Sequence, residues 1–599
     1  MRLDRNKMLR THTCGELRKK DIKKEVTLCG WVQSYRDHGG VIFIDLRDRY
    51  GLTQVVFDPS HDKKSHKLAN ELRREYVVRA TGKVRFRGEG LVNTKLDTGE
   101  IEVLCDSAEI LNRSEVPPFE IDERAEISED MRLRYRYLDL RRKNMQRNLT
   151  MRHKAFKATM NYLDSQNFLH IETPMLMKST PEGARDYVVP SRVNLGKFYA
   201  LPQSPQLYKQ ILMVSGYDRY FQLARCLRDE DLRADRQPEH TQIDLEMSFV
   251  EREDVFEIVE GLMKAIWKET LSIDIQAPFQ KLSWKEAMEK YGSDKPDLRF
   301  GLEFCDVTDV MDKSEFQIYK SVIKEGGVVK CLRVPKAAGF SRNEIDGMIE
   351  LAKVHHAKGM SWMKIKNGKP ESSIVKYFPE KVLQELVKAA GAKENDLLLF
   401  VAGKFEVACS SLGQVRLFLG DKLDLIDKKE WKFAWIIDFP LFEWNEEENK
   451  WGPMHHMFCA PKKEDLPKLE KDPGSVLCNQ YDLTLNGTEL CSGSIRINEA
   501  EVQERVMAVV GFPKKEAEKR FGFLLEAFKY GAPPHGGVGL GFDRIVALIC
   551  GYNDIREVIA FPKNKQAQNT MDGSPSDITE RQMKELHLKH DFVKKGDEK

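Results

Sequence analysis

A chain of 599 residues is several domains' worth of polypeptide, long enough to bury a large core. Its 96 lysines and arginines against 94 aspartates and glutamates leave a net charge of only +2, which excludes a uniformly basic nucleic-acid binder and makes any such surface local. The 11 scattered cysteines form no C-x-x-C pair, no window approaches the ~18 apolar residues of a membrane span, and the start MRLDRNKMLR lacks a signal-peptide stretch; a reduced, soluble, cytoplasmic protein is expected, with no membrane partner.

Residues 1–112 read as nearly all strand from Glu25 onward: VTLCGWVQSYR, VIFIDLRD, LTQVVFD, EYVVRATGKVRFR and EIEVLCD, with a helical patch from Lys64 to Arg74. That pattern predicts an OB-type β-barrel, a fold that commonly offers one sheet face to single-stranded nucleic acid. Residues 113–144 carry Pro117, Pro118 and the charge run RLRYRYLDLRR, predicting a linker and a helix; Arg141 and Arg142 suit either phosphate or a solvated face. Residues 145–296 begin with a helical period over Met145–Gln166, then a strand from Phe168 stopped by Pro174 and a turn-rich Thr180–Asp186 loop. The organising stretch is Tyr220–Phe249. Phe221, Leu223 and Leu227 share one strand parity and Ile243, Leu245, Met247 and Phe249 another, so Gln242, Asp244, Glu246 and Ser248 line the opposite face of the return strand. Between them runs a charged loop, Asp229–His240.

A helix is predicted over Val255–Leu271. Residues 297–428 read as a mixed α/β stretch without a polar constellation; His355 and His356 are adjacent, hence on different sides, and are read as surface residues rather than metal ligands. Residues 429–565 start with an apolar strand at Trp431–Pro440. They continue through Met454-His455-His456-Met457-Phe458 to a hairpin turning at Asn486-Gly487, across which Asp482 and Glu489 can face each other. The run Gly536-Gly-Val-Gly-Leu-Gly541-Phe542-Asp543-Arg544 suggests close backbone approach to a ligand. The tail, 566–599, is polar and expected to be partly disordered.

Arg228-Asp229-Glu230 within RDEDLRADRQPEHTQID, TPEGARDY, QSPQLYKQ and the terminal GGVGLGFDR together resemble the ordered motifs of class II, subclass b, aminoacyl-tRNA synthetases, specifically the bacterial-type aspartyl enzymes. The likeness runs from near Cys14 to about Pro562. It implies a multidomain α/β chain: an OB-fold anticodon domain, a class II antiparallel-sheet catalytic domain in two parts, and an inserted α/β domain between them. The implied substrates are L-aspartate, ATP with Mg²⁺, and tRNA-Asp; a homodimer is implied by the first motif. For ATP the resemblance assigns Arg228, Asp229, Glu230, Gln237, His240, Glu489, Gly541, Phe542, Asp543 and Arg544, with Asp482 and Glu489 on the metal and Arg228, Arg544 and Glu489 as the catalytic set. For aspartate it assigns Glu182, Gln206, Lys209, Arg228, Asp244, His455 and Arg496. Arg36, Phe43 and Gln54 match anticodon positions. His38 and Gly90 depart from strictly tRNA-Asp-specific enzymes toward those that also charge tRNA-Asn, with an amidotransferase acting downstream. The alternatives are a strictly tRNA-Asp-specific enzyme, an asparaginyl or lysyl enzyme, and an inactive tRNA-binding paralogue.

Overall fold

The computed structural model describes residues 9–180, 184–230, 236–512 and 514–589. The chain forms two compact units: one takes the residues up to Thr150 with Ala560–Asn564 and Gln568–Pro575, the other Met151–Ile559 with the remaining C-terminal segments.

In the first unit, strands Glu25–His38, Val41–Asp48, Gly51–Phe57, Val77–Phe86 and Ile101–Asn112 close into a barrel, the last pairing with both the third and the fourth. Strict alternation drives the closure: Val26, Leu28, Val32, Ile42, Ile44 and Leu46 are fully inside. Phe43, between two core isoleucines, is therefore turned to the other face and only partly covered. The helical patch is Lys63–Ala69, capped by the Asp62 carboxylate, which accepts from Ser65 N–H. The two linker arginines are neither free nor simply solvated. Arg141 binds Glu75 at 2.7 Å and lies over the Trp31 ring, and Arg142 joins Arg132 and Arg136 around the buried Asp139.

The second unit is built on an eight-stranded sheet in the order Gln280–Ser283, Phe433–Ile437, Gln480–Leu485, Thr488–Ile495, His535–Gly541, Glu239–Ser248, Arg219–Leu227, Leu169–His170. The six central strands are antiparallel, and each edge strand pairs parallel. Ile243, Leu245, Met247, Val538 and Leu540 point to one face, where helix Arg252–Leu271 covers them with Val255, Val259, Leu262 and Trp267. Burying each such side chain contributes roughly 1.5–3 kcal/mol. Phe249 does not continue that row: the strand ends at Ser248, and Phe249 takes φ +58° and is exposed. The strand expected from Phe168 is only two residues long, while the helix before it spans Lys143–Ser165.

The segment after Asp297 carries its own antiparallel sheet, ordered Phe304–Asp306, Val328–Val334, Leu397–Gly403, Ser361–Lys366, Lys369–Glu371, wrapped by helices. Arg416, buried on helix Phe405–Lys422, donates to the carbonyls of Asp297, Phe300, Gly301 and Leu302 and so pins the entering chain. His355 and His356 sit at the end of helix Arg342–Val354, with no metal cluster among the described residues. The tail is more regular than its composition suggests as far as His587: helix Glu580–Leu586 is capped by Thr579 in a reciprocal box with Gln582. No helix among the described residues is long and apolar enough to cross a membrane.

Candidate active site

The open face of the large sheet is the floor of a cavity of about 870 Å³. Period-two alternation puts Gln242, Asp244 and Glu246 on that floor, directly opposite Gly541, Gly539 and Gly537 of the neighbouring strand. The row continues outward: Asp244 stands beside Gln222 on one side, and Gly539 beside Ser492 and then Asp482 on the other. The alternating glycines are needed here for a reason the sequence does not reveal. A Cβ on Gly539 would overlap Gln242 Nε2, and one on Gly537 would overlap Glu246 Oε2; the small residues make room for their neighbours' polar side chains.

At the deep end lies a cluster of four buried charges. Helix Gln206–Val214 sends Gln206 and Lys209, three residues apart, toward the floor from one face. Lys209 Nζ lies 2.9 Å from Asp244 Oδ1 and 3.3 Å from Glu246 Oε2. Arg496 follows Ser492 and Ser494 in parity past the end of its strand; its Nε reaches Glu246 Oε1 at 2.9 Å and its Nη2 reaches Oε2 at 3.2 Å. Lys209 and Arg496 thus share one carboxylate oxygen, and both are at most 3% exposed. Taking four charges out of water is costly unless they pair, and each of the four has an oppositely charged partner here. Asp244 Oδ2 and Gln206 Nε2, one acceptor and one donor on residues that line the cavity, are buried with no partner. That suits a ligand bearing both an ammonium and a carboxylate. Glu182 lies outside the described residues.

Burial pushes the Asp244 carboxyl up to about 6, against the pull of Lys209. Because this folded-state value is above the ordinary carboxylate range, Asp244 contributes stability that is present at low pH and is lost as pH rises from the ordinary carboxylate range to about 6. A bound ammonium reverses that preference. Affinity for the ammonium ligand is therefore expected to fall as pH drops below about 6, approaching a tenfold loss per pH unit, and Asp244→Asn to flatten the profile. Calorimetric titration between pH 5 and 8 measures this; a flat wild-type profile contradicts it.

The other end is cationic. Arg228 follows strand Arg219–Leu227, its main-chain N–H fixed by the Pro238 carbonyl, and its side chain lines the cavity. Arg544, in the first turn of helix Phe542–Cys550, donates to the Glu489 carbonyl at 2.5 Å. Glu230, Gln237, His240, Gly541 and Asp543 also line the space. Burial, then Arg228, Arg225 and Arg544, hold the His240 imidazole down to about 3, so this ring is neutral and available for stacking. Two residues of the expected nucleotide set stand off the cavity. Phe542 is fully buried, packed edge-on against Phe156 and under the Arg152 guanidinium, and Asp229 is bridged through main and side chain to Arg185. Asp543, though lining, is held by Arg152 and by the Thr241 amide at 2.7 Å, so it anchors the helix start.

The hairpin turns at Asn486 and Gly487, both at positive φ as the two-residue turn requires. The two-residue turn already sets Glu489 opposite Thr484, so Asp482 and Glu489 are offset along the hairpin rather than opposite each other, and a bulge after Leu483 then brings Asp482 opposite Ser492. They remain close enough to interact: burial first, and then the charge of Asp482, push the Glu489 carboxyl up. His455 Nε2 lies 3.4 Å from Asp482 Oδ2; although burial pulls its value down, that carboxylate lifts it to about 9, leaving the ring charged at neutral pH.

His456, Arg236 and Lys295 line this cavity, and the fully buried Glu246 supports it through Lys209 and Arg496, but none of them carried a ligand role in the sequence reading. Glu246 had a signal in its parity with Asp244; the others had none. In the barrel, Arg36 holds Asp45 through two bonds and Gln54 Oε1 at 3.1 Å, while Gln54 Nε2 donates to Glu102. His38 meets Phe43 edge-on at 5.9 Å, and Gly90 sits at φ +79° with open space beside it.

A barrel ahead of a mostly antiparallel sheet whose cavity carries arginines at both ends defines a class: the model of class II tRNA synthetases (D, K and N) matches residues 128–565 and that of the OB-fold nucleic acid binding domain residues 26–111. The chain belongs to the class II tRNA synthetases of the D, K and N group. It is 51% identical to the aspartate–tRNA(Asp/Asn) ligase of Caldanaerobacter subterraneus subsp. tengcongensis over 97% of its own length and 98% of that protein. To the enzyme of the same name from Treponema denticola it is 52% identical, over 97% and 99%. Among solved structures it shares the fold of asparaginyl-tRNA synthetase from Pyrococcus horikoshii complexed with asparaginyl-adenylate. The TM-score is 0.58 at 18% identity, covering 92% of this chain and 97% of that one. Aspartyl tRNA synthetase from Entamoeba histolytica gives 0.55 at 18%, covering 91% and 90%.

Proposed function

We infer that the chain is an aspartate–tRNA ligase that activates L-aspartate with ATP and charges both tRNA-Asp and tRNA-Asn. The observation that carries the amino-acid choice is the buried Lys209–Arg496 pair held by Asp244 and Glu246. Two fixed cations beside an orphaned carboxylate oxygen suit a dicarboxylic amino acid, with Asp244, Gln206 and Glu182 around its ammonium. The near-full-length likeness to ligases named for both tRNAs supports the double acceptor specificity. His38, packed on Phe43 at the barrel surface, is the residue through which the third anticodon letter would be read loosely.

In the first step the α-carboxylate of aspartate attacks the α-phosphorus of ATP and pyrophosphate leaves. Arg228 would neutralise the α-phosphate and Arg544 the far end of a bent nucleotide, so catalysis consists of positioning and preorganised charge. In the second, a 3′-terminal ribose hydroxyl of the tRNA attacks the mixed anhydride and AMP departs. Glu230 would accept from the adenine amino group. His455, charged at neutral pH, would close over the bound amino acid. Asp482 and Glu489 are a carboxylate pair short of a metal site by themselves; with oxygens from the nucleotide they suit Mg²⁺, which would neutralise charge on the phosphates. Phe43, Arg36 and Gln54 would meet the anticodon. The exposed apolar Leu169, Met175, Leu176, Val193, Leu195 and Phe198 support a homodimer. A cytoplasmic location and a downstream amidotransferase follow from the same reading.

Aspartylation of purified tRNA-Asp and tRNA-Asn transcripts, side by side, tests it. Both should be charged at rates within about tenfold, whereas an intact base discrimination of ~1–3 kcal/mol would separate them by up to about 150-fold. Charging of tRNA-Asp alone reduces the function to the strictly specific enzyme, and charging of neither removes it.

A further inference from the structure

The Arg496 guanidinium has five N–H groups, and each already has a neighbour. Nε and Nη2 meet Glu246, Nη2 also meets the Gly537 carbonyl, and Nη1 meets Ser494 Oγ at 2.9 Å and His456 Nε2 at 3.0 Å. The last contact depends on which nitrogen of His456 carries the proton. The main-chain N–H of buried Phe458 donates to His456 Nδ1 at 3.1 Å. A neutral imidazole has one acceptor nitrogen and one N–H, so it cannot accept from Phe458 and from Arg496 together.

A buried amide cannot turn away from its partner, and leaving it unpaired is costly, so Nδ1 is the acceptor and Nε2 carries the hydrogen. Two donors then face each other across 3.0 Å, and Ser494 Oγ, 3.4 Å from Nε2, is a long acceptor that already takes Arg496 Nη1 at 2.9 Å. Protonating both nitrogens does not help, because it sets a second positive charge against Arg496 and breaks the Phe458 bond. The deep end of the cavity is therefore short of one acceptor. Three donors with capacity to spare converge there: an Nη1–H of Arg496, Nε2–H of His456, whose contact to Ser494 Oγ is long, and the third ammonium proton of Lys209, whose other two go to Asp244 and Glu246.

We propose that His456 is a third ligand of the substrate's side-chain carboxylate, donating from Nε2, and that its tautomer, set by the Phe458 amide, helps reject asparagine. This rests on the reading of the cavity as an aspartate site. A carboxylate presents acceptors in every direction, so one oxygen between Arg496 and His456 satisfies both and the other reaches Lys209. A carboxamide has one oxygen; wherever it is placed, its NH₂ meets at least one of the three donors.

The test is amino-acid-dependent ATP–pyrophosphate exchange with the full chain, wild type against His456→Phe, His456→Gln and His456→Asn. Glutamine can place an N–H where Nε2–H was, and asparagine only where Nδ1 was. His456→Phe and His456→Asn should raise KM for aspartate by about 30–100-fold with KM for ATP within about threefold, and the preference for aspartate over asparagine should fall by a similar factor. His456→Gln should recover at least about tenfold of the loss. Should the phenylalanine variant fail to fold, the glutamine–asparagine contrast still decides. Equal behaviour of these two, or KM values for aspartate and ATP rising together, overturns the proposal. Wild type inactive with aspartate but active with another amino acid would instead overturn the aspartate reading, and this inference with it.

Discussion

Arg496→Leu is expected to reduce kcat/KM for aspartate-dependent pyrophosphate exchange by about 10²–10⁴-fold, with the chain still folded. Truncating one partner of a buried, hydrogen-bonded charge pair costs about 3–5 kcal/mol, and each 1.4 kcal/mol is tenfold. The loss falls on aspartate specifically, because Arg228 and Arg544 at the other end of the cavity are untouched; the KM for ATP should stay within about threefold. Arg496→Lys keeps the charge but loses the fork that holds both oxygens of Glu246, so it should recover only part of the activity. Steady-state exchange kinetics at saturating ATP measure all three. Near-normal exchange by the leucine variant would show that the side-chain carboxylate is bound elsewhere, and the functional reading would lose its central support.

Glu246→Gln should carry the largest stability penalty of any single isosteric change in the cavity. Glu246 is fully buried and is the one carboxylate shared by Lys209 and Arg496. Neutralising it leaves two buried cations with Asp244 alone, at a cost of about 3–5 kcal/mol. Burial alone would raise the Glu246 carboxyl; Arg496 and then Lys209 overcome this and hold it below the ordinary glutamate range. A depressed folded value means the stabilisation is present above the unfolded glutamate pKa and is lost as pH falls through the lower folded one. At neutral pH the whole penalty should therefore be visible in denaturant unfolding. Saturating aspartate supplies a carboxylate to the same two cations, so it should raise the Tm of Glu246→Gln by more than it raises that of wild type. A Tm equal to wild type without ligand, or an equal ligand shift in both, would mean that the two cations do not depend on this group.

Much of the site was legible because strands repeat every two residues. The parity of Ile243, Leu245 and Met247 places Asp244 and Glu246 on one face, and all of Asp244, Lys209, Arg228, Arg496 and Arg544 line one cavity. Parity failed where backbone geometry intervened. The bulge after Leu483 moved Asp482 one place along its partner strand, to Ser492, and the positive φ of Phe249 ended its strand one residue early. Phe542 looked like part of a nucleotide motif, but its position beside Gly541 says nothing about which way a helix turns its first side chain, and here it turns into the core.

The sequence by itself determined the order of the domains, the strand faces and the residue types available for charge neutralisation, because these depend on local periodicity and on motifs that are contiguous in the chain. Only the tertiary structure decided how the charges are shared. That Glu246 serves two cations 37 residues upstream and 250 residues downstream of it, that Gly537 and Gly539 clear Glu246 and Gln242, and that Arg496 meets His456 Nε2 from 40 residues away are facts about atoms brought together by the tertiary fold. Hydrogen-bond directions and burial have no imprint in one-dimensional spacing, since each depends on what every neighbouring strand supplies at the same point in space.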